Sequence, residues 1–205
     1  KKADAICFGS LAQRSQTSRN TIISFLENSC NENNDRCLRV FDINLRQNFY
    51  NREIIHQSLQ YANALKLNDE ELKVIDELLG LSESLGLSTD LNVKTTGLSE
   101  NMSPFIHDIL NHLAEKYSLD LIVLTRGDKG SILFSKGQFS EHSGFRVEVA
   151  DTVGAGDAFT AAVVMGYLHC LDLDQISNIA NKLASYVCSQ KGGTPNLPDE
   201  LKRLL

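Results

Sequence analysis

The stretch Asp151-Thr-Val-Gly-Ala-Gly-Asp157 carries the strongest chemical signal in this 205-residue chain. It leads into residues 158–166, a run of small and apolar residues with helical character. The glycines at 154 and 156 allow unusual backbone angles and the close approach of a ligand. Because the N–H groups that open a helix carry partial positive charge, this turn predicts an anion-binding site.

Asp157 is the puzzling member of this turn, since a carboxylate repels a phosphate. The conflict disappears if Asp157 accepts a proton from a hydroxyl group that attacks phosphorus, while neighbouring amides hold the developing charge. The alternative is structural: an aspartate at or near the N-cap of the helix, with glycines that permit a tight turn. The residues alone leave both interpretations open.

Short apolar runs alternate with helix-period segments along the first 125 residues. Buried strands are predicted at Ala3–Gly9, Leu38–Ile43, Ala64–Leu67 and Leu119–Thr125. Helices are predicted at Arg19–Cys30, Arg52–Ala62, Asp69–Leu79 and Pro104–Tyr117. This alternation predicts an α/β fold, in which a mostly parallel sheet has helices on both faces.

The pattern changes after Thr125. Short segments separated by glycine-containing turns predict antiparallel edge strands at Lys129–Phe134, Gln138–Glu141 and Arg146–Ala150. Helices follow at Ala155–His169, Leu173–Gln190 and near Asp199–Leu205. The stretch Ser82–Ser99 is predicted to be a surface loop with one short helix.

The bulk composition narrows the class of protein. Hydrophobic residues make up 42% and charged residues 22%, as in an ordinary globular domain, and the length favours a single domain over residues 1–205. The net charge of -6 argues against general binding to nucleic acid or to acidic membranes. No apolar run approaches the roughly 18–20 residues needed to cross a bilayer, and the start does not resemble a signal peptide.

The cysteines show no metal-binding pattern. They are odd in number and lack CxxC or Cys/His spacing, so we expect reduced buried thiols rather than a disulfide framework or a zinc site. The five are Cys7, Cys30, Cys37, Cys170 and Cys188. A cytoplasmic protein is the simplest interpretation of this composition.

The sequence DTVGAGDAF, residues 151–159, is similar to the C-terminal signature of the PfkB, or ribokinase-like, carbohydrate kinase family. The resemblance implies a three-layer ribokinase-like α/β sandwich and transfer of the ATP γ-phosphoryl group to a primary sugar hydroxyl. It also implies an anion hole formed by Gly154, Ala155 and Gly156, with Asp157 as the catalytic base. Asp151 and Thr152 would shape the adjoining cation and phosphate region.

The segment Thr125-Arg-Gly-Asp-Lys-Gly130 follows a strongly apolar strand. A ligand at the carboxyl end of a parallel strand is expected in this architecture, whereas a simple hairpin turn is the alternative. The resemblance favours a nucleotide-contacting loop, with Thr125, Gly127 and Gly130 at the matching positions. Arg126 and Lys129 are interpreted either as phosphate contacts or as solvated side chains.

Asn68 and Glu71 stand where a strand becomes a helix. Asn68 as N-cap with Glu71 three residues later is a capping box. The family resemblance gives the same pair a second role, namely ordering the water shell of a magnesium ion near the phosphates. Because Mg²⁺ keeps several waters and uses few protein ligands, the two roles are compatible.

Phe41-Asp-Ile-Asn-Leu-Arg46 ends another predicted strand. Alternation would point Asp42, Asn44 and Arg46 to one side, and Arg46 then suits a phosphate or a carboxylate partner. The alternative is a strand-end salt bridge between Asp42 and Arg46. Together with residues 8–11 and 65–71, this stretch resembles fructokinases more than the adenosine kinase or phosphofructokinase branches, which implies phosphorylation of fructose to fructose 6-phosphate.

Two further sites follow from the resemblance. Asn181 matches a position that contacts the adenine or ribose side of the nucleotide, with an exposed helical asparagine as the alternative. Backbone carbonyls of four residues match a monovalent-cation site, with K⁺ as the expected ion. They are Asp151, Val153, Val187 and Gly192.

The resemblance covers only the later two-thirds of a family member. The N-terminal sheet portion, the lid and the Gly-Gly sugar-binding segment have no counterpart here, so we expect a single kinase domain without a lid that is inactive on its own. ATP and a small sugar are the implied partners, and a homodimer is implied for the intact protein. The alternatives are a kinase of another sugar, a nucleoside or a sugar acid, and a catalytically silent binding or regulatory member. A Rossmann dehydrogenase is disfavoured, because no GxGxxG follows the first strand.

Overall fold

The computed structural model describes residues 3–29, 37–86 and 103–204. The chain packs as two compact units, Lys1–Ile122 and Val123–Leu205. We call them the first and the second unit, and each is described by itself. The predicted single domain over residues 1–205 stays a prediction.

The first unit is built from alternating strands and helices. Its strands are β1 (Ala5–Gly9), β2 (Leu38–Asp42) and β3 (Ala64–Asn68). Its helices are α1 (Gln16–Ser29), α2 (Arg52–Tyr61), α3 (Asp69–Leu79), the short α4 (Leu81–Ser84) and α5 (Ser103–Tyr117). A single 3-10 turn, Leu11–Gln13, lies between β1 and α1. Strand β4 (Leu121–Thr125) contains the boundary between the units.

Strands β1, β2 and β3 are parallel neighbours. Phe8 pairs with Phe41 across β1 and β2, and Phe41 pairs with Leu65 across β2 and β3. Phe41 and Leu65 are fully buried, and the Phe8 and Phe41 rings stack with centroids 5.3 Å apart. Buried apolar surface of this kind contributes roughly 25 cal/mol per Å² to stability. The apolar strands thus form the core of the first unit.

Local hydrogen bonds set the ends of several helices. Asn51 caps α2 by accepting the N–H of Ile54 at 2.9 Å. Helix α3 ends at Gly80, whose φ of 63° is the left-handed conformation that glycine adopts easily. These signals are local in sequence, and the predicted bounds Asp69–Leu79 of α3 match the structure.

The second unit combines an antiparallel strand pair with two long helices. Strands β5 (Ser131–Ser135) and β6 (Gln138–His142) pair antiparallel. Helix α6 (Ala155–Leu168) packs on α7 (Leu173–Cys188), and a short α8 (Asp199–Lys202) follows. A side chain at Gly166 of α6 would approach Ile176 to 2.9 Å, so the small residue lets the two helices pack closely.

The predicted α/β class, with parallel strands first and antiparallel strands later, is confirmed. The strand predicted at Arg146–Ala150 is wrong, because residues 144–149 have no regular secondary structure. The predicted alternation of Asp42, Asn44 and Arg46 is also wrong: β2 ends at Asp42, and Asn44 has a φ of 43° that breaks an extended run. Most of the predicted loop Ser82–Ser99 lies outside the described residues.

The prediction of buried thiols is wrong for two of the four described cysteines: Cys7 and Cys170 are exposed, Cys188 is partly exposed and Cys37 is buried. Cys7, Cys37, Cys170 and Cys188 form no disulfide, and Cys30 lies outside the described residues. Among the described helices, none combines the length and the apolar character needed to cross a bilayer.

Candidate functional site

The second unit contains a cavity of about 850 Å³. Its wall comes from the segment after β4, from the irregular segment 144–149, from the turn that opens α6 and from one face of α7. The structure thereby brings together a large part of the predicted site. The predicted residues that line the cavity are Thr125, Gly127, Gly130, Thr152, Ala155, Gly156 and Asn181.

Helix α6 opens with a glycine cap instead of a side-chain cap. Gly154 is the N-cap residue and has a φ of 81°, and a Cβ placed on it would lie 2.1 Å from the Gly193 carbonyl oxygen. The first helical bond runs from the N–H of Ala158 to the Gly154 oxygen at 2.9 Å. Among the described residues, the N–H groups of Gly156 and Asp157 have no backbone acceptor, as expected at a helix start. This geometry suits an anion.

Asp157 is the third residue of α6 and is exposed. Its carboxylate accepts no hydrogen bond from the residues that the structure describes, and the N-cap position belongs to Gly154. Asp157 therefore does not provide the side-chain N-cap that the structural alternative requires. A favourable interaction with the helix dipole remains, and the carboxylate stands free for a ligand.

The Asp151 side chain connects the turn 151–157 to the segment that follows α7. Its Oδ1 accepts the N–H of Val153 at 3.0 Å, and its Oδ2 accepts the N–H of Gly192 at 3.1 Å. These hydrogen bonds, first that of Val153 and then that of Gly192, lower the pKa of Asp151 below its ordinary value of 3.8. The ionised form that holds both bonds is therefore present above that value and is lost only as the pH falls through the lowered pKa.

Two backbone hydrogen bonds connect the same segment to the C-terminal residue of α7. The N–H groups of Ala150 and Asp151 both donate to the Cys188 carbonyl, at 2.8 and 3.2 Å. Val187 and Gly192 were predicted as cation ligands together with Asp151 and Val153. Val187 precedes Cys188 in the chain, and Gly192 donates its N–H to Asp151, so these hydrogen bonds connect the segments that carry all four residues. The monovalent-cation site itself stays a prediction.

Asn181 is buried, with 5% of its surface exposed, so the alternative of an exposed helical asparagine is wrong. Its Nδ2 donates to the Ser131 hydroxyl at 2.8 Å and to the Ser177 carbonyl at 2.7 Å. Both amide hydrogens are thus used inside the protein. Since a backbone carbonyl only accepts, the assignment of the nitrogen is fixed by its Ser177 partner.

The loop after β4 depends on a glycine-only conformation. Gly130 has φ 82° and ψ -131°, and a Cβ there would overlap the His142 carbonyl oxygen. The N–H of Arg126 donates to the Gly130 oxygen at 2.8 Å, which closes the loop. The Arg126 side chain stays local: Nη2 donates to the Lys129 carbonyl at 3.3 Å and lies 3.9 Å from the Glu141 carboxylate.

Sequence reasoning missed two parts of the cavity wall. Phe145, Val147 and Val149 line it, although Arg146–Ala150 was predicted as an antiparallel edge strand. On α7, residues 184, 185 and 188 also line it. With Asn181 they follow the i, i+3, i+4, i+7 spacing of one helix face, which was the available signal.

Asn68, Glu71 and Arg46 belong to the first unit. Asn68 and Glu71 form the predicted capping box, with Glu71 N–H to Asn68 Oδ1 at 2.8 Å and Asn68 N–H to Glu71 Oε2 at 2.9 Å. Glu71 Oε1 also accepts the N–H of Leu45 at 2.9 Å. Arg46 donates weakly to the Leu45 carbonyl at 3.5 Å, and the ion pair of Asp42 is with Lys66 at 3.0 Å rather than with Arg46.

Replacing Glu71 by alanine is expected to lower the free energy of unfolding by roughly 2–3 kcal/mol, because two backbone N–H groups lose their acceptor. The neighbouring Glu70→Ala serves as the matched control, since the Glu70 side chain is 77% exposed. We expect the control to change stability by less than about 0.5 kcal/mol. Urea denaturation measures both, and equal effects would contradict the structural role of Glu71.

The described residues contain no group of three or more His, Cys, Asp or Glu side chains arranged to hold a metal ion. Each Glu71 oxygen already accepts a backbone N–H. The carboxylate can therefore accept a further hydrogen bond from a water molecule more readily than it can bind a metal ion directly. That state fits the outer-shell contact to hydrated Mg²⁺ predicted from the sequence.

Comparison with known proteins finds a matching family model and similar curated proteins. A family model described as pfkB family carbohydrate kinase matches residues 1–200. A fructokinase of Escherichia coli is 25% identical over 77% of this chain and 47% of its own length. A putative sugar kinase of Pyrococcus horikoshii is 25% identical over 98% of this chain and 56% of its own length. The chain thus spans about half the length of these curated relatives.

Among solved structures, a fructokinase from Vibrio cholerae O395, bound to fructose, ADP and calcium ion, aligns with a TM-score of 0.73 at 22% identity. The alignment covers 100% of this chain and 61% of that one. It shows a shared fold, which confirms the predicted ribokinase-like class.

Proposed function

This chain belongs to the pfkB family of carbohydrate kinases, and on that premise we propose that it carries the ATP-binding and catalytic part of a sugar kinase. One observation carries the proposal. Asp157 is exposed and accepts no hydrogen bond from the described residues, and it stands in the first turn of α6 beside backbone N–H groups that have no acceptor among them. The same turn contributes Ala155 and Gly156 to a cavity large enough for a nucleotide.

In the proposed reaction, Asp157 accepts the proton of the sugar hydroxyl as its oxygen attacks the γ-phosphorus. The bond from that phosphorus to the leaving oxygen of ADP breaks in line. The N–H groups of the turn 154–157 donate to the transferring phosphoryl oxygens, and their fixed orientation stabilises the developing charge. Arg46 is proposed as a further phosphate contact.

The nucleotide is proposed to lie along the cavity wall, with Thr125, Gly127, Gly130, Thr152 and Asn181 as contacts. Mg²⁺ would neutralise charge on the phosphates when bound. Asn68 and Glu71 are proposed to orient its water shell, while the carbonyls of residues 151, 153, 187 and 192 would hold a monovalent cation. The hydrogen bonds of the Asp151 carboxylate support the monovalent-cation site, since they hold the backbones of Val153 and Gly192 close to one another.

Fructose is the sugar we propose, on the resemblance of residues 8–11, 41–46 and 65–71 to fructokinases. A kinase of another sugar, a nucleoside or a sugar acid is the second candidate, because the identity to a fructokinase and to a putative sugar kinase is the same 25%. We propose a cytoplasmic protein, homodimeric when intact, with ATP and a small sugar as partners.

The test is ADP release in a coupled assay with D-fructose, ribose, inosine and 2-dehydro-3-deoxygluconate. It is run on the chain and on a version extended at its N-terminus by the segment that the resemblance predicts. We expect turnover only in the extended version and fastest with fructose. Faster turnover with another acceptor would select the second candidate, and ATP binding without turnover of any acceptor would favour a silent member.

A further inference from the structure

We propose that the nucleotide cavity does not discriminate between purine bases, so that guanosine and inosine triphosphates serve as phosphoryl donors about as well as ATP. This inference rests on the proposed function and specifies the substrate class of the same site. It follows from the hydrogen-bonding capacity of the side chains that line the cavity wall.

Asn181 is the one amide side chain among the described lining residues. An asparagine reads adenine by a bidentate contact, which needs one N–H donor for N7 and one oxygen acceptor for the N6 amino group. Asn181 has spent both hydrogens on Ser131 and on the Ser177 carbonyl. It therefore offers an acceptor only. Adenine and guanine both carry N–H donors, so an acceptor rejects neither.

The other uncharged polar groups of the wall are hydroxyls and a thiol. Thr125, Thr152 and Ser185 rotate to donate or to accept, so they match the edge of either purine. The Cys188 thiol is at most a weak donor and a weak acceptor. None of these groups penalises guanine or hypoxanthine.

The apolar part of the wall binds any aromatic ring. Phe145 rests against the His142 ring at 4.9 Å between centroids and still has 43% of its surface exposed. Val147 and Val149 beside it are 40% and 61% exposed. Base contact with such side chains is tolerant of base identity, because every base has a π-face. An apolar pocket also discriminates poorly between ligands of the same shape.

Asp128 and Arg146 are the charged side chains among the described lining residues, and both are exposed. Water competes with their contacts to a ligand at such positions. An arginine that reached the base would favour guanine, whose O6 and N7 are both acceptors. The charged groups therefore add no preference for adenine.

The experiment is isothermal titration of the chain with ADP, GDP and IDP in the presence of MgCl₂. We expect the three Kd values to agree within about tenfold, near the low end of the roughly 5- to 150-fold discrimination that a good bidentate base contact supplies. ADP bound more than tenfold tighter than GDP or IDP would overturn the inference and leave the proposed function standing. No binding of any of the three would overturn both.

Phe145→Ala tests the apolar wall. We expect it to weaken ADP, GDP and IDP by a similar factor of about tenfold, as loss of a base-contacting aromatic does, with their ratios unchanged. Met165→Ala is the matched control, because Met165 is an exposed apolar side chain of α6 outside the cavity lining. A selective loss of ADP alone in Phe145→Ala would contradict the inference, and thermal unfolding of each variant checks that it is folded.

Discussion

Replacing Asp157 by asparagine is expected to lower kcat by about 10²–10⁴-fold, the usual contribution of a positioned general base. The substitution keeps the size of the side chain but removes its ability to accept the hydroxyl proton. Since the carboxylate makes no hydrogen bond with the described residues, we expect the substitution to leave the fold unchanged. Steady-state turnover of the extended enzyme with fructose and ATP measures the effect.

Nucleotide affinity provides the second readout for Asp157→Asn. We expect the Kd for ADP to stay within about threefold of the parent, or to fall, because a negative charge beside the phosphates is removed. Glu148→Gln is the matched control: Glu148 is an exposed acid of the neighbouring segment and does not line the cavity. A variant at position 157 that retains near-normal turnover would rule out Asp157 as the base.

Gly154→Ala is expected to destabilise the second unit strongly. The residue has a φ of 81°, and the new Cβ would lie 2.1 Å from the Gly193 carbonyl oxygen. The left-handed conformation costs an alanine about 1–2 kcal/mol, and the overlap with rigid backbone adds to that penalty. We expect a loss of roughly 3 kcal/mol or more in the free energy of unfolding, together with loss of nucleotide binding.

Gly192→Ala separates the two causes. Gly192 has nearly the same φ, 83°, but open space where its Cβ would stand. It should therefore show only the conformational part, about 1–2 kcal/mol. Chemical denaturation of both variants gives the comparison. Equal losses would mean that the approach of Gly154 to Gly193 contributes nothing.

Much of this structure could be predicted from the sequence where the interactions that determine it are local. The capping box of Asn68 and Glu71 and the glycine after Leu79 fixed the predicted bounds of α3, because each acts within a few residues. The turn 151–157 was recognisable for the same reason: its glycines and acids are consecutive. These features need no knowledge of distant contacts.

The errors arose where one pattern fits two structures. The segment Arg146–Ala150 was predicted as an edge strand, but it has no regular secondary structure and its two valines line a cavity. The burial of Asn181 could not be predicted locally, because its partner Ser131 lies 50 residues away in the chain, although Ser177 lies only 4 away. Asparagine is among the non-glycine residues enriched in the left-handed region, so the residue type of Asn44 was a signal that the predicted alternation overlooked.

The Asp151–Gly192 contact also sets an order of events during synthesis. The two residues are 41 positions apart, and Gly192 is made after Asp151. A nascent chain that has already produced the turn 151–157 still lacks the amide that anchors it. We therefore expect this turn to acquire its final geometry only once residue 192 has emerged from the ribosome, after the strands and helices of the first unit.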